Sequence, residues 1–138
     1  MAATADIAAI VDEVVQLART VSGLRCYEYA PAAGEINPPI LAVMDVEPRY
    51  NATMGAGMTG LTMRLVLDVG GTVNRSVQES LRKFLDNSGA SSIRAALEDG
   101  GPYTAFDDLA VVGFQAVGFD EVAEMGFYGG VFTVDIII

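Results

Sequence analysis

The stretch that decides the fold is Leu61-Thr62-Met63-Arg64-Leu65-Val66-Leu67-Asp68-Val69. Every second residue from Leu61 to Val69 is large and apolar, and Thr62, Arg64 and Asp68 lie between them. Since successive side chains of a strand point to opposite faces of a sheet, this pattern predicts a strand with one buried face. Such alternation is typical of an antiparallel sheet that covers a core on one side only.

An amphipathic helix is predicted upstream of this strand, from Asp6 to Val21. Its apolar residues recur at intervals of three and four, which places them on one side of a helix that packs on the core. Thr4 or Asp6 would cap its start, and Gly23 would end it. The apolar positions are Ile7, Ile10, Val11, Val14, Leu17 and Val21.

Two more helices are predicted after the break at Gly70-Gly71. The N-cap of the first is either Asn74 or Ser76, because Glu79 completes a capping box with Ser76. Gly89 would end it in the left-handed conformation. Its buried stripe would consist of Val77, Leu81, Phe84 and Leu85. The second runs from Ser91 to Glu98 and stops at Gly100-Gly101-Pro102, with Ile93, Ala96 and Leu97 facing the core.

Four further strands complete the predicted sheet, at Arg25–Tyr29, Ile40–Val46, Asp108–Phe114 and Val131–Ile138. Residues 31–39 are predicted to be a loop because of Pro38-Pro39, and Pro48 is expected to end the following strand. The inward residues of the last strand would be Phe132, Val134, Ile136 and Ile138. The predicted fold is a single α/β domain of the α+β class over residues 1–138, with a mostly antiparallel or mixed sheet and the order α-β-β-β-α-α-β-β.

The composition argues against an enzyme. The chain has no histidine and one cysteine, so it lacks the usual general base, the usual catalytic triads and the commonest zinc ligand. Cys26 is interpreted as a small buried hydrophobe. The spacing of Asp120, Glu121 and Glu124 matches no EF-hand loop, so they are expected to form a solvated acidic loop. We therefore predict no catalytic, cofactor-binding or metal-binding residues.

The net charge of −10 disfavours tight binding of nucleic acid, which favours a basic surface. An acidic surface beside DNA repels the phosphates, however, and so allows DNA to slide past. The sequence has no apolar run of the roughly 20 residues that a membrane helix needs. Its N-terminus lacks the charged and apolar regions of a secretory signal.

Gly55-Ala56-Gly57-Met58-Thr59-Gly60 spells G-x-G-x-x-G. A dinucleotide fingerprint follows a strand and opens a helix, whereas this motif precedes a predicted strand. We interpret Glu47 to Gly60 as a long flexible loop, a kind of loop that is often functional. Methionines on glycine hinges suit an adaptable contact, and an Arg-Tyr pair suits an interface anchor. The candidate interface residues are Arg49, Tyr50, Met54, Gly55, Gly57, Met58 and Gly60.

Several stretches follow one another in an order that is more specific than any of them alone. They are the N-terminal helix, Gly23-Leu24-Arg25-Cys26-Tyr27-Glu28-Tyr29, Ile36-Asn37-Pro38-Pro39, the glycine-containing loop, the alternating strand, Leu85–Glu98 with its Ser88-Gly89-Ala90-Ser91-Ser92 centre, and Tyr128-Gly129-Gly130-Val131-Phe132-Thr133-Val134. In this order the chain resembles the tail terminator (tail-completion) proteins of siphoviruses, especially those of phages that infect actinobacteria. The resemblance covers nearly the whole chain, and none of the stretches carries chemistry.

The resemblance implies a structural virion protein that forms a homo-oligomeric ring, a hexamer. Such a ring caps the tail tube, ends polymerisation of the tube protein and joins the tail to the head-neck (stopper) proteins. It implies that the protein assembles in the host cytoplasm and ends in the neck region of the virion. DNA would pass through the lumen of the ring without specific binding. No cofactor and no membrane partner are expected. An exposed edge of the last strand would pair with a neighbouring subunit. The alternatives are a neck or head-completion (connector) protein and a small nucleotide-binding enzyme that uses Gly55 to Gly60.

Overall fold

The computed structural model describes residues 6–29, 39–51, 57–70, 75–116 and 128–138. Within these ranges the chain forms three helices and five strands, in the order α-β-β-β-α-α-β-β that the sequence predicts. The elements are α1 (Ile7–Ala18), β1 (Arg25–Tyr27), β2 (Ile40–Asn51), β3 (Gly57–Gly70), α2 (Arg75–Leu85), α3 (Ile93–Glu98), β4 (Asp108–Ala116) and β5 (Tyr128–Ile137). The predicted α+β class is therefore confirmed.

The strands form one mixed sheet with the order β1-β2-β3-β5-β4. β1 runs parallel to β2, and the other neighbouring pairs are antiparallel. β3 lies at the centre, where Leu65 faces Val43 of β2 on one side and Phe132 of β5 on the other. The predicted mixed or mostly antiparallel sheet is thus what the structure contains.

The closing strand is not an edge of the sheet. β5 is paired with both β3 and β4, so the expectation that it offers a free edge to a neighbouring subunit is wrong. The reason is topological, because β4 takes the outer position and β5 returns between it and β3. The alternation predicted for β5 is nevertheless present, since Phe132, Val134 and Ile136 are buried and Ile138 is partly buried.

One face of β3 forms the floor of the core, and all five of its predicted inward residues are buried. The helices close the core above them. The side chains that they bury are Ile10, Val14, Val15 and Ala18 of α1, Leu81 and Phe84 of α2, and Ile93 and Leu97 of α3. Leu85 was expected in this set, but it is 37% exposed because it is the last residue of α2, where the chain bends away.

Short polar contacts set where the helices begin. The Asp6 side chain accepts a hydrogen bond from the Ala8 backbone N–H at 3.0 Å, which confirms Asp6 as the cap of α1. Ser92 caps α3 by accepting from the Ala95 N–H at 3.1 Å, and its hydroxyl donates to the Asp86 carbonyl at 2.6 Å. α1 ends at Ala18, three residues earlier than predicted. Gly23 and Gly89 both have a positive φ, as was expected of Gly89, but α1 ends at Ala18 and α2 at Leu85, so the expectation that these glycines end the helices is wrong.

β2 is longer than the sequence predicts, because it continues through Pro48 to Asn51. Proline cannot donate to a ladder and is tolerated where one side of a strand has no neighbour. Among the described residues β1 covers only residues 40–42 of β2, so the second half of β2 has such a free side. β2 and β3 therefore form a long hairpin in which Asn51 faces Gly57. The interpretation of Glu47 to Gly60 as one flexible loop is wrong.

The edge strand β4 and the partly uncovered strand β2 are both irregular. The pairing of β2 shifts register between Val43 and Asp45, and that of β4 shifts between Val111 and Gly113. At the second shift, Oε2 of Glu98 accepts a hydrogen bond from the Val111 backbone N–H at 2.7 Å. Glu98 of α3 thus accepts a hydrogen bond from a backbone N–H of β4 at a point where the ladder is irregular. The local twist that bulges introduce also discourages a further strand from pairing with β2 or β4.

Leu97→Ala tests the core. Leu97 is fully buried, so we expect the substitution to lower the free energy of unfolding by about 2–5 kcal/mol. Urea denaturation followed by circular dichroism measures the change. Val112→Ala is the control, since Val112 is 65% exposed and its truncation should change stability by about 0.5 kcal/mol or less. Equal effects of the two substitutions would contradict the assigned core.

Candidate functional site

The residues predicted to form an interface lie mostly on two paired strands. Arg49 and Tyr50 belong to β2, whereas Gly57, Met58 and Gly60 belong to β3. The register pairs Arg49 with Gly60 and Tyr50 with Met58. We call residues 49–51 and 57–60 the hairpin arm. Met54 and Gly55, the other two predicted residues, lie outside the described part of the chain.

Arg49 ties the hairpin arm to the rest of the sheet. Its Nη1 lies 2.8 Å from Oδ1 of Asp135 and donates to the Thr62 hydroxyl at 3.0 Å. Its Nη2 donates to the carbonyl of Ile136 at 3.3 Å. The Arg49 side chain therefore extends from β2 across β3, and its guanidinium contacts β5. This is a use of the fixed fork of donors that lysine does not offer.

Gly60 makes room for this crossing. A Cβ atom built on Gly60 would lie 2.6 Å from the Ile136 carbonyl oxygen and would overlap Nη2 of Arg49. The last glycine of the G-x-G-x-x-G sequence is thus required by the packing of an arginine against a strand. That local reason does not involve a phosphate ligand.

A second arginine repeats the arrangement one step along the sheet. Nε of Arg64 lies 3.0 Å from Oδ1 of Asp45, which is its partner in the register, and Arg64 also pairs with Glu47. Opposite charges on facing residues of neighbouring strands stabilise a sheet. Together Asp45, Glu47, Arg49, Arg64 and Asp135 form what we call the outer-face ion cluster, on the face of the sheet opposite the core.

Tyr50 is the aromatic residue of the hairpin arm, and it is available for contact because it is 66% exposed. Met58, which faces it, is partly buried against the core. The expectation that Met58 adapts to a partner is therefore less well supported than a role for Tyr50. Beyond Thr59, whose carbonyl accepts from the Ile138 N–H at 3.1 Å, the described residues of the two strands pair only with each other. The tip of the hairpin arm thus projects past β5.

The structural context does not favour a nucleotide site. Gly57 to Gly60 are part of strand β3, and no helix begins there. A dinucleotide fingerprint presents the phosphate to the start of a helix, and a P-loop does the same. The described part of the motif, Gly57 to Gly60, therefore lacks the helix start that would bind the ligand.

Cys26 is buried between α1 and the sheet, as predicted. Burial raises the pKa of its thiol to about 11, although nearby Arg19 acts in the opposite direction. A thiol of this kind is almost fully protonated at neutral pH and is a poor nucleophile.

Metal-ligand clusters and membrane-spanning helices are both absent from the parts of the chain that the structure describes. No group of three or more Cys, Asp or Glu side chains there is arranged to hold a metal ion. None of the helices in these ranges combines the length and the apolar character needed to cross a bilayer. Asp120, Glu121 and Glu124 lie outside the described residues.

Asp68 is a buried carboxyl group that the alternating pattern placed on the polar face. It does lie opposite the core, but it is largely inaccessible to solvent and accepts a hydrogen bond from the Gly70 N–H at 3.0 Å. Burial raises the pKa of Asp68, and the hydrogen bond from Gly70 opposes this only in part. The facing residues Ile40 and Gly129 offer it no charge.

Glu13 of α1 makes a contact that sequence reasoning missed. Its carboxylate accepts from the Thr104 hydroxyl at 2.7 Å, the Thr104 N–H at 2.9 Å and the Ala105 N–H at 2.8 Å. Burial by itself would raise the pKa of Glu13, but these hydrogen bonds outweigh it and lower the pKa. The contact fixes the N-terminal helix to the segment that leads into β4.

The comparison of the sequence with known protein families gives no match, and neither does the comparison with characterised proteins.

Gly60→Ala tests the packing around Arg49. The added methyl group would meet the Ile136 carbonyl and the guanidinium, so we expect a loss of about 1–3 kcal/mol in the free energy of unfolding. Gly113→Ala is the matched control, because a Cβ atom there meets nothing within 4 Å. Chemical denaturation compares the two. A Gly60→Ala variant as stable as Gly113→Ala would contradict the described crossing of Arg49.

Glu13→Gln tests the contact between α1 and Thr104. Because the folded state lowers the pKa of Glu13, the ionised group stabilises the fold above its unfolded-state pKa of about 4.3. That stabilisation is lost as the pH falls through the lower folded-state pKa. We therefore expect Glu13→Gln to melt at a lower temperature than the wild type at pH 7, with the gap closing toward pH 3. A gap of the same size at both pH values would show that the carboxylate charge contributes nothing.

Proposed function

We propose that this protein is a structural subunit of a siphovirus tail, and that it forms a ring that caps the tail tube. In this role it ends polymerisation of the tube protein and provides the surface to which the head-neck proteins attach. The resemblance described above suggests a hexamer. The protein would act without a cofactor and would catalyse no reaction.

The observation that supports this proposal most is the hairpin arm. It carries an exposed aromatic side chain, Tyr50, past the end of β5, and Arg49 fixes its base through Asp135 and Thr62. A projecting element that is fixed at its base suits a contact between proteins. Exposed aromatic residues are enriched among the residues that contribute most to such contacts.

A closed ring also needs two different surfaces that fit each other, because head-to-tail contacts are heterologous. The hairpin arm supplies one candidate surface.

The charge of the chain fits a DNA-conducting position. With a net charge of −10 per subunit, a ring of several copies would present an acidic surface that repels the phosphates of DNA. DNA would pass through the lumen without specific contacts. The tube protein on one side and the head-neck protein on the other would be the protein partners in the virion.

Electron microscopy tests the proposal. Purified protein should form rings with a central hole in negative stain, or should remain monomeric and bind only to the ends of tubes polymerised from the tail-tube protein of the same phage. Added during tube polymerisation, it should shorten the tubes by blocking growth at the end that it caps. Tube walls serve as the internal control, since they should carry no additional density.

Two results would count against this function. A protein that stays monomeric at all concentrations and leaves tube ends bare is not a tail terminator. Binding to the assembled head connector, together with no binding to tube ends, would favour the neck or head-completion alternative.

A further inference from the structure

Between the start of α1 and the first half of β2 lies a groove of about 310 Å³. Its walls are mainly apolar, and several of its side chains face solvent although they are large. Met44 is 55% exposed, Tyr29 is 82% exposed and Ile7 is 37% exposed. Val11 and Val46 continue the apolar lining. We call this feature the α1–β2 groove.

We infer that the α1–β2 groove receives the hairpin arm of a second copy of this chain, with Tyr50 as the inserted side chain. The inference rests on the proposed ring and specifies the contact between its subunits. The hairpin arm of each subunit would dock on the next, and the groove of the same subunit would accept the arm of the previous one.

Charge favours this occupant. Two copies that each carry a net charge of −10 repel one another unless their contact surfaces avoid acidic residues. Residues 50–63 contain no charged side chain, and they form the longest such run in the chain. The groove has acidic residues only at Glu28 and Asp45, and Asp45 is paired with Arg64 at 3.0 Å. Residues 50–51 and 57–60 of the arm are uncharged and Arg49 is paired with Asp135, so the arm and the groove can meet without opposing like charges.

Geometry requires the arm to come from another copy. Met44 and Tyr50 both belong to β2 and are six residues apart, which corresponds to about 20 Å along a strand. Arg49, held on Asp135 and the Ile136 carbonyl, fixes the direction in which the arm leaves the sheet. Tyr50 cannot fold back into the groove of its own subunit, so the contact joins two different surfaces and can close a ring.

The contact is expected to be made by side chains and not by an added strand. The bulge between Val43 and Asp45, in the ladder with β3, twists β2 beside the groove, and Pro48 has no N–H to donate to a further strand. A strand laid along this edge would lack a continuous ladder. An aromatic side chain needs no ladder, and a buried tyrosine removes about 150–250 Å² of surface from water.

Disulfide trapping tests the inference. In a Cys26→Ala background, one preparation carries Met44→Cys and another carries Tyr50→Cys. Mixed and oxidised, they should give a covalent heterodimer, and a chain with both substitutions should give a ladder that ends at the ring size. The control replaces Met44→Cys by Val112→Cys, which is 65% exposed on β4 and should give no specific product.

A charge exchange provides the second measurement. Tyr50→Glu and Met44→Lys, each made alone, should prevent ring formation while leaving the melting temperature within a few degrees of the wild type, because both side chains are exposed. Mixing the two variants should restore contacts between unlike subunits, since the new charges attract.

The outcomes separate this inference from the proposed function. Wild-type rings or capped tubes, combined with no specific disulfide and with rings that survive Tyr50→Glu, would overturn the docking of the arm and leave the tail-terminator role intact. A wild-type protein that neither forms rings nor caps tubes would overturn both. A specific disulfide together with loss of rings in the single variants supports both.

Discussion

The fold depends on one constraint, which is that β3 must be paired along both edges and covered on one face. Its ladder partners are β2 and β5, and the five apolar residues at alternate positions from Leu61 to Val69 are buried. Each helix contributes side chains to the cover over that face. The polar contacts of Ser92 and Glu13 then fix where α3 and α1 lie. The opposite face of the same strand carries Thr62 and Arg64, so one strand orients both the core and the outer-face ion cluster.

The alternating pattern of β3 predicted the fold well because local periodicity reports burial directly. The same reasoning failed at Pro48, because a proline ends a strand only where its missing donor faces a partner, and the second half of β2 has none among the described residues. It failed at β5 because strand order is a property of the whole chain. Periodicity can show that Phe132 and Val134 face a core, but not which strands lie on either side of them.

The sequence predicted which residue types belong to the candidate site, but it did not predict the contacts that these residues make. Arg49 and Tyr50 were selected by their chemical type, and their positions on a projecting hairpin agree with that choice. Their surroundings were not predictable, because Ile136 lies 87 residues from Arg49 and Thr104 lies 91 residues from Glu13. A signal existed for the outer-face ion cluster, since Asp45, Glu47 and Arg64 alternate along two stretches that a hairpin would bring together. That alternation predicts ion pairs only once the two stretches are known to form a hairpin.

The irregular edges of β4 and β2 affect whether the protein aggregates at the high protein concentration of a cell. Glu98 accepts a hydrogen bond from the Val111 N–H of β4, and β2 has a bulge in its ladder with β3 and a proline in the half that β1 leaves uncovered. Strand edges are the usual route by which sheet proteins associate irreversibly into fibrous aggregates. By making its edges poor templates, the chain leaves side-chain contacts as the way for two copies to associate. Contacts of that kind can form, dissociate and form again, so copies that meet through them are not lost to fibrous aggregation.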